Sequence, residues 1–275
     1  MTRFIFSALL CAAIFLAFTP AYADVLEDAK AAIARGERNK AAVLVITAAA
    51  KQGDVNAQLA LVPIYDLGIG VPKSPETAFR WLQRAADQNH PEAQYLIGEA
   101  YKIGQGVLKD EVEGLKWRRL GAASGYTQGQ VALGYEYTHG IGVQHDESEG
   151  AMWLRKAADQ GHPVAQNFLG ESYAAGKGVP RDDHAAQKLF RAAAEKGIVT
   201  AQFNLGMQYL DAGSGVKNDA VLGYMWLDAA AAQGDKPAAI GRDNAAKHMS
   251  PDDIKRGQAA AKACTAAKYK NCEPG

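Results

Sequence analysis

The chain has 275 residues, and its 30 lysines and arginines are matched by 30 aspartates and glutamates. That balance argues against a nucleic-acid binder, which needs a concentrated basic stripe. Apolar residues make up 48% of the chain, enough to bury a large core as one elongated unit or as two domains.

Residues 1–23 predict a cleaved secretory leader. Arg3 supplies a positive start, Phe4 to Phe18 is apolar but for Ser7, and Thr19-Pro20-Ala21-Tyr22-Ala23 ends in a small-x-small cleavage pattern. The apolar stretch is too short for a stable transmembrane helix, and no other long apolar run follows, so no membrane span is expected after cleavage. The mature chain is expected to begin at Asp24, in a periplasmic or secreted location. Loss of Arg3 leaves 29 cationic against 30 acidic side chains, a formal charge of −1. Cys11 leaves with the leader. The remaining pair, Cys264 and Cys272, predicts a disulfide that clips the end of the chain. Seven intervening residues fit neither a CxxC redox site nor a zinc pair.

Residues 24–53 read as a shortened capping helix pair broken near Gly36. Val45, Ala49 and Ala50 stand in the register that Trp81, Ala85 and Ala86 occupy further on. From residue 54 to 234 a period of 36 dominates, and five units are expected. Ala57-Gln58, Ala93-Gln94, Gly129-Gln130, Ala165-Gln166 and Ala201-Gln202 keep it, as do Tyr65, Tyr101, Tyr137, Tyr173 and Tyr209. Loops of the form Gly-x-Gly-Val begin at Gly68, Gly104, Gly140 and Gly176. The fifth, at Gly213, comes one residue late, and Trp226 is delayed equally, so one insertion after Tyr209 accounts for both.

Each unit predicts two helices. Ala93, Ile97, Gly98 and Tyr101 share one helical face. Gly98, Gly134, Gly170 and Gly206 lie inside the first helix, where glycine costs about 1 kcal/mol relative to alanine. A cost repeated four times implies a close helix approach. The Gly-x-Gly-Val loop ends the first helix. Ser74, Asp110, Asp146, Asp182 and Asp219 follow as N-caps, with Glu113 and Glu149 expected to complete capping boxes. The second helix buries the Trp81, Trp117 and Trp153 positions and has a small residue three places earlier. Beyond 235, a degenerate first helix and a second beginning at Ser250-Pro251 are expected as the closing cap and tail.

The pattern Ala-Gln-x-x-Leu-Gly-x-x-Tyr, Gly-x-Gly-Val, Trp-x-x-x-Ala-Ala-x-x-Gly resembles the SEL-one-like repeat family, relatives of the tetratricopeptide repeats. It covers roughly residues 38–248. The resemblance implies an all-α, right-handed solenoid of helix-turn-helix repeats that binds proteins, with roles in complex assembly, envelope signalling or contact with host proteins. Cysteine-rich relatives linked to β-lactam binding or hydrolysis imply an alternative, a β-lactamase-like hydrolase. Those relatives carry a disulfide in essentially every repeat, and this chain has no cysteine within its repeats.

No catalytic motif is found. The glycine loops lack the Gly-x-x-x-x-Gly-Lys-Ser/Thr form, and no Gly-x-Ser-x-Gly elbow occurs. His90 and His162 precede prolines at equivalent helix starts and read as caps. His139 and His145 flank one loop without a third ligand, so no metal is expected, and no cofactor. What remains is surface. By analogy with tetratricopeptide stacks, the outward positions of the first helices would face a concave groove that takes a protein or peptide. The candidates are Tyr95, Glu99, Lys102, Tyr135, Thr138, Asn167, Glu171 and Phe203, with Leu59, Pro63, Asp66, Val131, Ala174, Met207 and Leu210 in the same register. Ordinary packing between repeats is the alternative for the aromatic ones. The expected function is a non-enzymatic scaffold or adaptor of the cell envelope.

Overall fold

Asp and Ser side chains standing just ahead of apolar-periodic segments fix where helices begin, and left-handed residues fix where many of them stop. In the computed structural model, residues 28, 31, 35, 37–213, 215–270, 272 and 273 are described. Residues 1–23 and most of the first arm of the 24–53 pair lie outside them. Among the described residues there are thirteen helices and no strands. They are α1 (Arg38–Lys51), α2 (Val55–Leu67), α3 (Pro75–Asp87), α4 (Pro91–Ile103), α5 (Glu111–Ala123), α6 (Thr127–His139) and α7 (Glu147–Asp159). Then come α8 (Pro163–Ala175), α9 (Asp183–Ala194), α10 (Val199–Leu210), α11 (Ala220–Ala231), α12 (Lys236–Ala246) and α13 (Pro251–Ala266). The chain is an all-α solenoid of repeats of about 36 residues, and it divides into two compact units, Met1–Gly129 and Gln130–Gly275.

The capping logic repeats along both units. Ser74, Asp110, Asp146, Asp182 and Asp219 each accept a backbone N–H of the helix that follows. Such caps are worth about 1 kcal/mol apiece. Their own N–H groups turn the other way, each donating to the carbonyl at the repeating tyrosine of the preceding helix: Tyr65, Tyr101, Tyr137, Tyr173 and Tyr209, at 2.8–3.1 Å. That corrects the expected capping boxes. Asp110 N–H is committed to Tyr101 O, and the Glu113 carboxylate pairs with Lys116 Nζ at 3.0 Å. Asp146 N–H is held by Tyr137 O, and Glu149 accepts the Trp153 indole N–H at 3.1 Å. The cap thus ties each second helix to the first helix of its own repeat.

In Met1–Gly129, Trp81 packs with Val43, Ala50 and Leu61. Leu82, Ala85 and Ala86 of α3 close on Ala93, Ile97 and Ala100 of α4. The expected close approach is present between α4 and α5. A Cβ on Gly98 would lie 2.5 Å from Gly114 O and 2.7 Å from Arg118 N, and one on Gly114 would lie 2.7 Å from Gly98 O. Trp117 is only half-buried, packed at the edge of the α3–α4 cluster, unlike Trp81. Asn89 ends α3 with φ 60°, at the place where the other second helices have glycine.

In Gln130–Gly275, Leu154 and Ala157 of α7 pack on Ala165 and Leu169 of α8. A larger cluster joins Phe190 of α9, Leu205 and Tyr209 of α10, Met225 and Trp226 of α11, and Cys264 of α13. Trp226 is fully buried. At about 25 cal/mol per Å² and 150–250 Å² for an aromatic side chain, that burial contributes roughly 4–6 kcal/mol at most. Gly206 faces Gly223 as Gly98 faces Gly114, with a Cβ on Gly206 meeting Gly223 O at 3.0 Å. The inserted residue changes how α10 stops. Asp211 takes an extended conformation (φ −85°), where Gly68, Gly104 and Gly176 cap in the left-handed region. The closing helices begin as expected, with Ser250 accepting from Asp253 N at 3.1 Å. Cys264 and Cys272 are joined as a disulfide, with Cα atoms 4.8 Å apart.

Candidate functional site

Small side chains near the end of α8 leave space beside α10. There, Ala174, Ala175, Phe190 and Met207 help to line an open cleft of about 540 Å³. Its α8 wall carries Glu171, whose Oε1 accepts from Asn167 Nδ2 at 2.8 Å and from Asn204 Nδ2 at 3.0 Å. Asn204 Nδ2 also donates to Asn167 Oδ1 at 3.1 Å. The exposed carboxylate is therefore held in one place by a buried amide and its neighbour. Met207, 41% exposed, forms the apolar part of the α10 wall. At the cleft floor and rim, Gln208 Nε2 donates to Asp183 O at 2.8 Å, and Arg181 Nε to Asp183 Oδ2 at 3.0 Å. Glu171, Asp183 and Asp211 outnumber Arg181, so the cleft favours a cation beside an apolar group.

A smaller hollow of about 150 Å³ shares Glu171 with this cleft. Tyr135 borders it, stacked on His139 with centroids 4.1 Å apart and lying 5.4 Å from the Phe168 ring. The His139 ring nitrogen Nδ1 is 2.9 Å from Tyr135 O, which fixes the stack.

In Met1–Gly129, a hollow of about 160 Å³ is lined by Val62, Phe79, Leu82 and Leu96, with Gln105 Nε2 donating to Asp66 Oδ2 at 2.8 Å on its rim. Glu99 Oε1 lies 2.6 Å from Nε of Arg118, which is itself buried. The Arg118 guanidinium stands 5.4 Å from the Tyr95 ring.

The eight first-helix candidates therefore separate. Glu171 and Tyr135 are exposed and line clefts. Glu99 is partly exposed and paired, and Lys102 is half-buried near the end of α4. Tyr95, Asn167 and Phe203 occupy packing positions, a correction to their reading as presented groups, whereas half-buried Thr138 lines the smaller hollow with Tyr135. Tyr95 is buried against Tyr126, with centroids 5.3 Å apart, because Gly129 leaves room for its ring. The Thr138 hydroxyl donates to Gly134 O at 2.8 Å. Asn167 is 2% exposed and acts through Glu171, and Phe203 packs on the cluster of Leu227, Ala230 and Ala238. For Tyr95 and Phe203 the packing alternative holds.

Other polar residues missed by sequence reasoning are structural. The glutamine of each Ala-Gln pair is mostly buried and accepts a hydrogen bond from the end of its own repeat's second helix. Gln88 donates to Gln58 at 2.8 Å, Ser124 to Gln94 at 3.0 Å, Gln160 to Gln130 at 2.7 Å and Gln233 to Gln202 at 2.7 Å. Gln88 and Gln160 do stand two periods apart in the sequence, a signal that could have been read. Asn204 carried no such signal, because its role appears only when α10 lies beside α8.

His90 and His162 do cap α4 and α8, through long bonds of 3.4 and 3.5 Å from Ala93 N and Ala165 N to their Nδ1 atoms. Burial, and then the nearby Lys196 charge, lower the His162 pKa. Among the described residues no group of three or more His, Cys, Asp or Glu side chains is placed to hold a metal ion. No described helix is long and apolar enough to cross a membrane.

With this geometry in place, five successive segments, residues 56–90, 91–126, 127–162, 163–198 and 199–235, match the model of the Sel1 repeat. Among solved structures, the chain is similar to a Sel1 repeat protein from Oxalobacter formigenes, with 31% identity and a TM-score of 0.61 over 78% of this chain and 85% of that one. It is also similar in fold to c5321, a protective antigen of uropathogenic Escherichia coli strains displaying an SLR fold, with 24% identity and a TM-score of 0.52 over 91% of this chain and 62% of that one. Comparison with curated proteins finds no match.

Proposed function

The chain belongs to the Sel1 repeat family, whose members are generally protein-interaction scaffolds, and we propose that it is a non-enzymatic scaffold of the cell envelope that seats a basic partner segment in the cleft between α8 and α10. The observation that carries this reading is the fixed carboxylate of Glu171 opposite exposed Met207 in a space of about 540 Å³. A lysine or arginine beside an aliphatic residue on a partner helix matches that pairing. Because the wall is already ordered, little entropy is lost there on binding. The envelope location is supported by the leader pattern of residues 1–23 and by a paired Cys264 and Cys272, which suits an oxidising compartment.

The test compares immobilised wild-type protein with a Glu171→Lys/Met207→Asp variant of unchanged helicity, both exposed to an envelope extract at low and high salt. A principal partner retained by the wild type, weakened by salt and lost by the variant is expected. Undiminished retention by the variant would move the site elsewhere.

A further inference from the structure

The segment after α13 is treated by this fold as a ligand. Glu273 enters a three-donor site and is nearly buried, its side chain 12% exposed. One of its oxygens, Oε2, is 2.7 Å from Arg191 Nη2 and accepts the Tyr209 hydroxyl at 2.7 Å. The other, Oε1, accepts the Trp226 indole N–H at 2.8 Å. Arg191 Nη2 also donates to Tyr209 Oη at 2.6 Å, so the donors are held together before any carboxylate arrives. The three come from α9, α10 and α11 and therefore do not depend on the segment for their placement.

Two features show that the segment is held there rather than resting there. Lys268 and Tyr269, neither of them glycine, take φ values of 53° and 64° in succession to turn the chain back. Residues with a Cβ are disfavoured in that region, and such strain persists only where surrounding contacts impose it. The Cys264–Cys272 disulfide is one such restraint, placed immediately before Glu273. The repeats supply a comparison. Arg155 Nη2 donates to Tyr173 Oη at 2.6 Å, the same pair one repeat earlier, where Leu189 stands in place of the tryptophan. The arginine–tyrosine pair thus recurs in the repeat, and beside Arg191 and Tyr209 it is Trp226, where the preceding repeat has Leu189, that adds the indole donor to the carboxylate site.

We propose that Arg191, Tyr209 and Trp226 form a binding site for a glutamate side chain of a partner peptide, kept filled by the chain's own Glu273 while Cys264 and Cys272 are joined. Opening requires a thiol reductant. Two external thiols supply two electrons and two protons, the Cys264–Cys272 Sγ–Sγ bond breaks, and two cysteine thiols and one external disulfide result. The freed segment still competes, at the millimolar effective concentration typical of a short tether. A partner glutamate displaces it only after the covalent restraint is gone.

The experiment follows the four tryptophan indole N–H resonances of the ¹⁵N-labelled protein, with that of Trp226 identified by its loss in Trp226→Phe. The probe is a synthetic peptide of residues 269–275 with serine for the cysteine, compared with one that also carries glutamine for the glutamate. In Glu273→Gln the Trp226 resonance should move. Once that variant is thiol-reduced, the glutamate peptide should return it towards its wild-type position, and the glutamine peptide should bind roughly tenfold or more weakly, as expected for losing hydrogen bonds to a charged group. The oxidised wild type should ignore the glutamate peptide. Thiol-reduced wild type and Cys272→Ser, which keeps Glu273, should both respond to it. An indole resonance unmoved by Glu273→Gln, equal binding of the two peptides, or equal response of oxidised and reduced protein would each overturn the proposal.

Discussion

Gly98→Ala isolates the close helix approach, because alanine is otherwise the better helix former by about 1 kcal/mol. Its Cβ would lie 2.5 Å from Gly114 O and 2.7 Å from Arg118 N, both backbone atoms that no rotamer change can remove. A carbon–oxygen contact needs about 3.3 Å or more, so α4 and α5 must separate by roughly 0.8 Å or tilt. Separation loosens Ile97, now fully buried, and stretches the 2.6 Å Glu99–Arg118 contact, whose arginine is buried. Overpacking costs typically 1–3 kcal/mol, and two backbone contacts this short put Gly98→Ala in the upper part of that range, so about 1–2 kcal/mol of net loss remains after a propensity gain of about 1 kcal/mol. Gly241→Ala is the control. Its Cβ would meet only Leu227 and Met207 side-chain atoms, from 3.3 Å, which can shift, so stability should be kept or raised by up to about 1 kcal/mol, the propensity gain. Repeat proteins can melt in parts. Hydrogen exchange of α4 and α5 amides is therefore measured alongside urea unfolding. Exchange should accelerate there in Gly98→Ala and stay unchanged in Gly241→Ala. A Gly98→Ala protein as stable as the wild type would refute the close-approach argument.

His162, whose pKa is lowered by burial and then by Lys196, favours folding when neutral. That contribution is present above its unfolded value of about 6.5 and is lost as pH falls through the lower folded value. His162→Asn, which caps without titrating, should show a smaller drop in melting temperature on acidification. Tyr209 is pushed up to about 12 by burial and then by Glu273, the Arg191 contact opposing. Its stabilisation is whole below about pH 10 and is lost as pH rises through the folded value, so Tyr209→Phe should flatten the alkaline part of the stability profile. Trp226→Ala should cost about 3–5 kcal/mol by leaving a core cavity, and Trp117→Ala distinctly less because that ring is half-buried. Equal losses in urea midpoints would contradict the burial difference.

Most of the fold could be read from the chain because repetition averages away local ambiguity. One glycine in a helix says little, but four at the same register imply contact, and Gly98 against Gly114 bears that out. The caps were legible for the same reason. Their reciprocal half was misread because Glu113 and Glu149 satisfy the local pattern, while the Asp N–H is claimed by a tyrosine carbonyl nine residues earlier. The site was harder. First-helix spacing names a face, but whether Tyr95 is presented or buried depends on Gly129 in α6 and on Tyr126 just before that helix. The Asn204 contact to Glu171 spans 33 residues, and nothing local announces it. The pairing of Cys264 with Cys272 could be expected from their number alone, whereas the seat that it gives Glu273 depends on three helices meeting.

The most direct test of the scaffold reading is site-specific photo-crosslinking. A photoreactive residue is placed at Met207, on the wall of the α8–α10 cleft, or at Leu108, which is 89% exposed on a loop in the other unit. Partner adducts in an envelope extract should form from position 207, disappear when Glu171→Lys is added, and be absent from position 108. Adducts that form equally at both positions, or that persist at 207 with Glu171→Lys, would contradict a partner seated in that cleft.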